Sequence, residues 1–108
     1  MRSEDARFLV SWSAHGPLVR AIGELDIESA PVFAHALEAF VDEVGEAVID
    51  LSGVTFMDSS GLQVLCRTAE RAPVRLLAVP KRLRSVISMA GLDETFAIDP
   101  GPSDALSA

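Results

Sequence analysis

The sequence predicts an α/β domain in which an antiparallel N-terminal hairpin leads into a mainly parallel sheet with packed helices, in the order β-β-α-β-α-β-α-β. Three observations carry that prediction. Alternating apolar residues near the N-terminus are split by a His-Gly-Pro turn. Stretches with apolar positions at i, i+3, i+4 spacing then alternate with short apolar runs, and Pro or Gly punctuates most of the joins.

Taken in order, Phe8, Val10, Trp12 and Ala14 alternate with Leu9, Ser11 and Ser13, a strand with one apolar face that places Trp12 in the core. His15–Gly16–Pro17 turns the chain, and Leu18 to Ile22 returns antiparallel as a second strand, ended by Gly23–Glu24–Leu25–Asp26. Ser29 and Pro31 stand where an N-cap and a first-turn proline belong. Val32, Phe33, Ala36, Leu37, Phe40, Val41 and Val44 form an apolar helical stripe, and Gly45 closes it in a left-handed cap. Ala47 to Ile49 reads as a buried strand. A second helix carries Leu62, Leu65, Cys66 and Ala69, and Pro73 ends it. Val74 to Val79 is a fourth strand. Pro80 opens a third helix with Leu83, Val86, Ile87 and Ala90 on one face, closed by Gly91, and Thr95 to Ile98 is a fifth strand.

Size and composition bound the function. At 108 residues the chain is expected to be one domain, with its core over about residues 6–99 and a loose tail over 100–108. A net charge of −7 argues against nucleic acid as a partner. No apolar run is long enough to span a bilayer and Met1–Val10 has no signal-peptide pattern, so no membrane insertion and a cytoplasmic location are expected. Cys66 is the single cysteine, which excludes an internal disulfide and a multi-cysteine metal site. Its place on an apolar stripe assigns it to packing.

Crossover handedness locates the site. Strands two, three and four should run parallel, so Asp26, the Asp58–Ser60 turn and Pro80–Lys81–Arg82 gather on one edge of the sheet, where α/β domains keep their sites. His15 falls at the opposite edge and His35 on a solvated helix flank. A Ser-His-Asp hydrolase therefore has no histidine near Ser59, and no G-x-S-x-G elbow, P-loop or dinucleotide turn is present. The two histidines make no metal site. Neither enzymatic activity nor a cofactor is expected. A phosphoryl acceptor needs less: an exposed hydroxyl on a turn a kinase can enter. Ser59 meets that demand, with Ser60 the runner-up, while Asp58, Ser59 and Ser60 are all candidate caps. Gly61 leaves the first turn bare so that another group can approach.

The stretch Asp50–Leu51–Ser52–Gly53–Val54–Thr55–Phe56–Met57–Asp58–Ser59–Ser60–Gly61–Leu62 resembles the signature of the STAS family, sulphate transporter and anti-sigma factor antagonist domains, and most of all its bacterial anti-sigma factor antagonists. Gly23–Glu24–Leu25–Asp26 with Ser29–Ala30–Pro31, and Val86 to Leu92, are similar to further family segments. The resemblance implies that the unphosphorylated domain binds an anti-sigma factor with serine kinase activity and frees the sigma factor. It implies that the kinase then phosphorylates Ser59 and ends binding, and that a phosphatase resets Ser59. Asp26 and Asp58 match family positions near the phosphoacceptor, and the partner surface is expected to include Ser29, Ser60, Gly61 and Gln63. Gln63 replaces a frequent glycine, and Gly101–Ala108 is too short and breaker-rich to secure the helix that often follows the last strand. Two other readings share the fold: a structural STAS subunit of a lipid-transport ATPase complex, and a small-ligand or nucleotide-binding STAS module. The intact Phe56–Met57–Asp58–Ser59–Ser60–Gly61 favours the switch over the structural subunit, which has no use for an exposed serine there, and the ligand-binding reading has only the general edge-of-sheet argument behind it.

Overall fold

The structure, a computed structural model, describes residues 6–99. The expected tail at 100–108 lies outside the described residues. The elements are β1 (Arg7–Ser13), β2 (Gly16–Leu25), α1 (Ala30–Val44), β3 (Ala47–Met57), α2 (Ser59–Arg71), β4 (Val74–Leu77), α3 (Lys81–Met89) and β5 (Ala97–Ile98). They build one five-stranded sheet in the order β1-β2-β3-β4-β5. β1 is antiparallel to β2 and every other pair is parallel. Because sequential strands step across the sheet in one direction, right-handed crossovers set the helices on one face. The core lies between that face and the helices. Phe33, Leu37, Ile49, Leu51, Leu65, Leu76 and Ile87 are fully buried in a single cluster.

α1 forms where its stripe predicts. Phe33, Leu37 and Phe40 are buried, Ala36 and Val41 half-buried, and Gly45 closes the helix at φ 92° with its N–H donating to the Val41 carbonyl. Val32 departs from the expected stripe and is exposed. It sits one residue, about 100° of helix rotation, off the Phe33 line, on the flank. In α3 only Leu83 and Ile87 are buried, and Val86 and Ala90 face outward. Gly91 at φ 74° ends that helix in a Schellman arrangement, with Leu92 N–H donating to the Ile87 carbonyl and Gly91 N–H to that of Ser88.

Four expectations need correction. β3 does not stop at Ile49 but runs to Met57, through two register shifts that give it two more residues than β2 over the same span. Gly53 lies at the first shift, where a Cβ would sit 3.1 Å from Ile22 Cγ1. β4 ends at Leu77 rather than Val79, because Ala78 adopts φ 52° and takes the chain out of the sheet. β5 is confined to Ala97–Ile98, although Phe96 beside it is buried. Trp12 is 77% exposed, not core. Among the described residues β1 is an edge strand, and α1 packs on β2 and β3, which leaves the outer end of its apolar face open. Phe8 alone on that strand reaches inward, stacking on Phe33 at 5.1 Å between ring centroids.

Cys66 is half-buried and packs against the core cluster. Burial, with the neighbouring Glu70 carboxylate second, pushes its thiol above the usual range. Since the thiolate is the reactive form, Cys66 should alkylate more slowly at pH 8 than a free thiol, and an equal rate by timed iodoacetamide labelling would contradict this packing.

Candidate functional site

β2 and β3 end together. Leu25 pairs with Met57, and Asp58 N–H donates to the Leu25 carbonyl at 3.1 Å. This register is what brings Asp26 and Asp58, far apart in sequence, to one corner of the sheet. His15 lies at the opposite end, beside Glu46 and Arg75 where β3 and β4 begin. Pro80, Lys81 and Arg82 share the Asp58 end, lining an open groove of ≈ 680 Å³ with Val54 and Thr55.

Each half of the corner is held by an aspartate. Asp58 is the N-cap of α2: its backbone is extended (φ −105°, ψ −169°), and Oδ1 accepts from Ser60 N–H at 2.8 Å. Its carbonyl accepts from Leu62 N–H at 3.1 Å. Of the three candidate caps, Asp58 therefore fills the role. Ser59, the first residue of α2, is exposed, and its hydroxyl is engaged by no hydrogen bond among the described residues. Ser60 is half-buried. Gln63 is exposed one turn along the helix from Ser59.

Asp26 organises the entry to α1. Its Oδ1 accepts from the N–H groups of Glu28 and Ser29, both at 3.1 Å. Ser29 occupies the N-cap position, but its side chain makes no cap bond to the helix. Its hydroxyl turns back instead, donating to the Glu24 carbonyl at 2.7 Å and accepting from Asp26 N–H at 3.0 Å. Its backbone is already helical (φ −90°, ψ −13°), which aims the hydroxyl away from the first-turn donors. Asp26 thus has a local structural role that spacing alone did not reveal. Asp26→Asn keeps the accepting oxygen and should leave stability nearly unchanged, whereas Asp26→Ala should cost about 0.5–2 kcal/mol. Equal losses for the two in urea denaturation would show that charge, not the cap, is what the loop needs.

Gly61 explains how the corner closes. It is buried, and a Cβ there would lie 2.9 Å from both the Leu25 Cβ and the Leu25 carbonyl oxygen, and 3.0 Å from Met57 Cγ. The start of α2 therefore lies directly on the end of β2. Two apolar side chains stand exposed beside the corner residues in sequence, Ile27 after Asp26 and Phe56 before Met57. Among the described residues no group of three His, Cys, Asp or Glu side chains is placed to hold a metal ion, and no helix is long and apolar enough to cross a membrane.

A helix-capping aspartate, an exposed serine and a glycine pressed onto the neighbouring strand end make one constellation. The family model described as "Mlab, STAS domain" matches residues 8–99. The chain belongs to the STAS domain family. The match nearly coincides with the described residues and leaves out only the ends. This STAS domain is 34% identical over 113 residues to the anti-sigma-F factor antagonist RsfB of Mycobacterium tuberculosis, covering 99% of this chain and 93% of RsfB. The crystal structure of an anti-sigma factor antagonist from Mycobacterium paratuberculosis superposes with a TM-score of 0.79 at 33% identity, over 95% of this chain and 92% of the other. The anti-sigma factor antagonist SpoIIAA in its unphosphorylated form shares the fold, with a TM-score of 0.65 at 16% identity over 94% of each chain.

Proposed function

We propose that this STAS domain is an anti-sigma factor antagonist that works by partner switching. Unphosphorylated, it binds an anti-sigma factor that is also an ATP-dependent serine kinase, and the sigma factor is freed. The kinase then transfers the γ-phosphoryl group of ATP to Ser59 Oγ, whose proton leaves, and binding ends. A phosphatase hydrolyses the phosphoserine and resets the domain. The domain itself catalyses nothing, takes no cofactor and acts in the cytoplasm.

The observation that carries this reading is Ser59: exposed, first in α2, with a hydroxyl that no other group among the described residues uses. Capping is left to Asp58, so a modified Ser59 costs the helix none of its hydrogen bonds. The first-turn N–H groups and helix dipole stabilise an exposed phosphate there by about 0.3–1 kcal/mol. The partner surface is Asp26, Ser29, Asp58, Ser60 and Gln63 around it, with exposed Ile27 and Phe56 supplying apolar area; Gly61, expected among the contacts, is instead buried under the first turn of α2 and shapes the corner from within. Phosphorylation adds about 1.5–2 negative charges to a corner that already holds two aspartates, and a partner seated on that surface loses its fit by charge and desolvation. The fold is unaffected.

Incubated with its cognate kinase and ATP, the wild type should gain one phosphate, assigned to Ser59 by fragment mass spectrometry. Ser59→Ala should stay unmodified and bind constitutively. Ser59→Asp should bind weakly with a near-normal circular dichroism spectrum, its defect partial because a carboxylate carries less charge than a phosphate. Phosphate on Ser60, or undiminished binding by protein phosphorylated on Ser59, would sink the switch and favour a STAS domain that serves as a constitutive structural subunit.

A further inference from the structure

We propose that the free edge of β1 pairs with the β1 edge of a second copy of this chain, antiparallel and centred on Val10. The proposal goes beyond the antagonist reading and does not depend on it. Among the described residues β1 ends the sheet, and its residues pair with β2 without a register shift. The protections that usually blunt an edge are missing from it: no proline, no lysine, no bulge, and no charge on the face carrying Phe8, Val10 and Trp12.

The hairpin fixes which backbone groups point outward. Ser13 and Gly16 flank the two-residue loop and form its hydrogen-bonded closing pair. The next pair, Trp12 and Pro17, is then a non-hydrogen-bonded one, as it has to be, because Pro17 has no N–H to give. By the same alternation Phe8, Val10 and Trp12 turn their N–H and C=O groups away from β2, to the open edge. When two such edges meet antiparallel, one register uses all three of these residues on both strands. Val10 then faces Val10 of the second copy, and Phe8 faces Trp12. The three reciprocal pairs exchange about six hydrogen bonds.

The side chains suit that register. Cross-strand aromatic pairs flank a central valine pair on one face, which is a stabilising combination. On the other face Leu9 meets Ser11 and Arg7 meets Ser13, so no like charges are opposed. That matters for a chain with a net charge of −7. Room exists as well. Trp12 and Val10, 77% and 66% exposed, border a groove of ≈ 570 Å³ with Phe40 and Val44 on its far wall. Ser59 follows β3, two strands in from this edge, so both copies keep that corner free.

The test is the mass of the full chain by analytical ultracentrifugation from low micromolar to millimolar concentration, where a monomer–dimer equilibrium is expected. Val10→Pro removes an N–H that β2 does not use, and should weaken dimerisation at least about tenfold while the hairpin survives. Should that variant fail to fold by circular dichroism, Trp12→Lys, at an exposed site, decides the same point. In a Cys66→Ser background Val10→Cys should form a disulfide across the two-fold axis, because opposed residues of a hydrogen-bonded pair have Cα atoms about 5.5 Å apart. Leu9→Cys, which faces Ser11, should not. A monomer at every concentration, a dimer indifferent to Val10→Pro and Trp12→Lys, or equal linkage through Leu9→Cys would each overturn the proposal. So would a monomer whose β1 edge takes up only an extended peptide from another protein.

Discussion

Phe33→Ala should destabilise the fold by about 3–5 kcal/mol, as a drop in the urea midpoint with little change in slope. Phe33 is fully buried, lies on the α1 line shared with Leu37 and Phe40, and stacks on Phe8 with an interplanar angle of 12°. Truncation loses the transfer energy of the ring and leaves a cavity against the sheet. It also strips Phe8, the one β1 side chain that reaches the core cluster, of its stacking partner. The loss therefore extends to the anchorage of β1. Val32→Ala, one residue earlier on the same helix but 59% exposed, should cost little. Comparable losses at the two positions would show that the helix does not present the face described here. The contrast is a check on register as much as on size.

The order of elements and the corner holding Asp26 and Asp58 were legible because both follow from local signals and one global rule. Helical spacing, Gly45, Gly91 and the prolines mark the elements, and right-handed crossover then puts the ends of β2 and β3 side by side. What stayed hidden depends on tertiary position. Trp12 alternates as a core residue should, but alternation reports a shared face and not whether a helix covers it. Only the sheet order shows that β1 is an edge. The extension of β3 through Ser52 and Gly53 was masked because bulged residues break the period of two. Ala78 gave no warning either, since a left-handed alanine costs about 1–2 kcal/mol and is disfavoured by its sequence. Ser29 makes no side-chain cap, and Asp26 instead accepts from the N–H groups that lead into α1. Both residue types cap helices, and which one does so is decided by a lead-in turn, closed by Ala30 N–H donating to the Asp26 carbonyl, that composition does not specify.

Gly61→Ala should cost about 1–3 kcal/mol and, unlike Phe33→Ala, should also alter the corner itself. The added Cβ would meet Leu25 Cβ and the Leu25 carbonyl oxygen at 2.9 Å. Neither can rotate away, one being fixed to the backbone and the other part of it. Relief requires the first turn of α2 to lift from the end of β2, and Asp58 N–H is bonded to that same carbonyl. Movement therefore weakens the bond that sets Asp58 against Leu25 and displaces Ser59 with it. Gly45 supplies the control. A Cβ there meets nothing within 4 Å, so Gly45→Ala is strained only by its φ of 92°, at about 1–2 kcal/mol. The two variants should thus be similar in stability but different at the site. Gly61→Ala is expected to slow phosphorylation of Ser59 at saturating ATP and to weaken partner binding under conditions where the variant is fully folded, whereas Gly45→Ala should do neither. A Gly61→Ala protein with wild-type phosphorylation and binding would show that the tight seat of α2 on β2 serves stability alone.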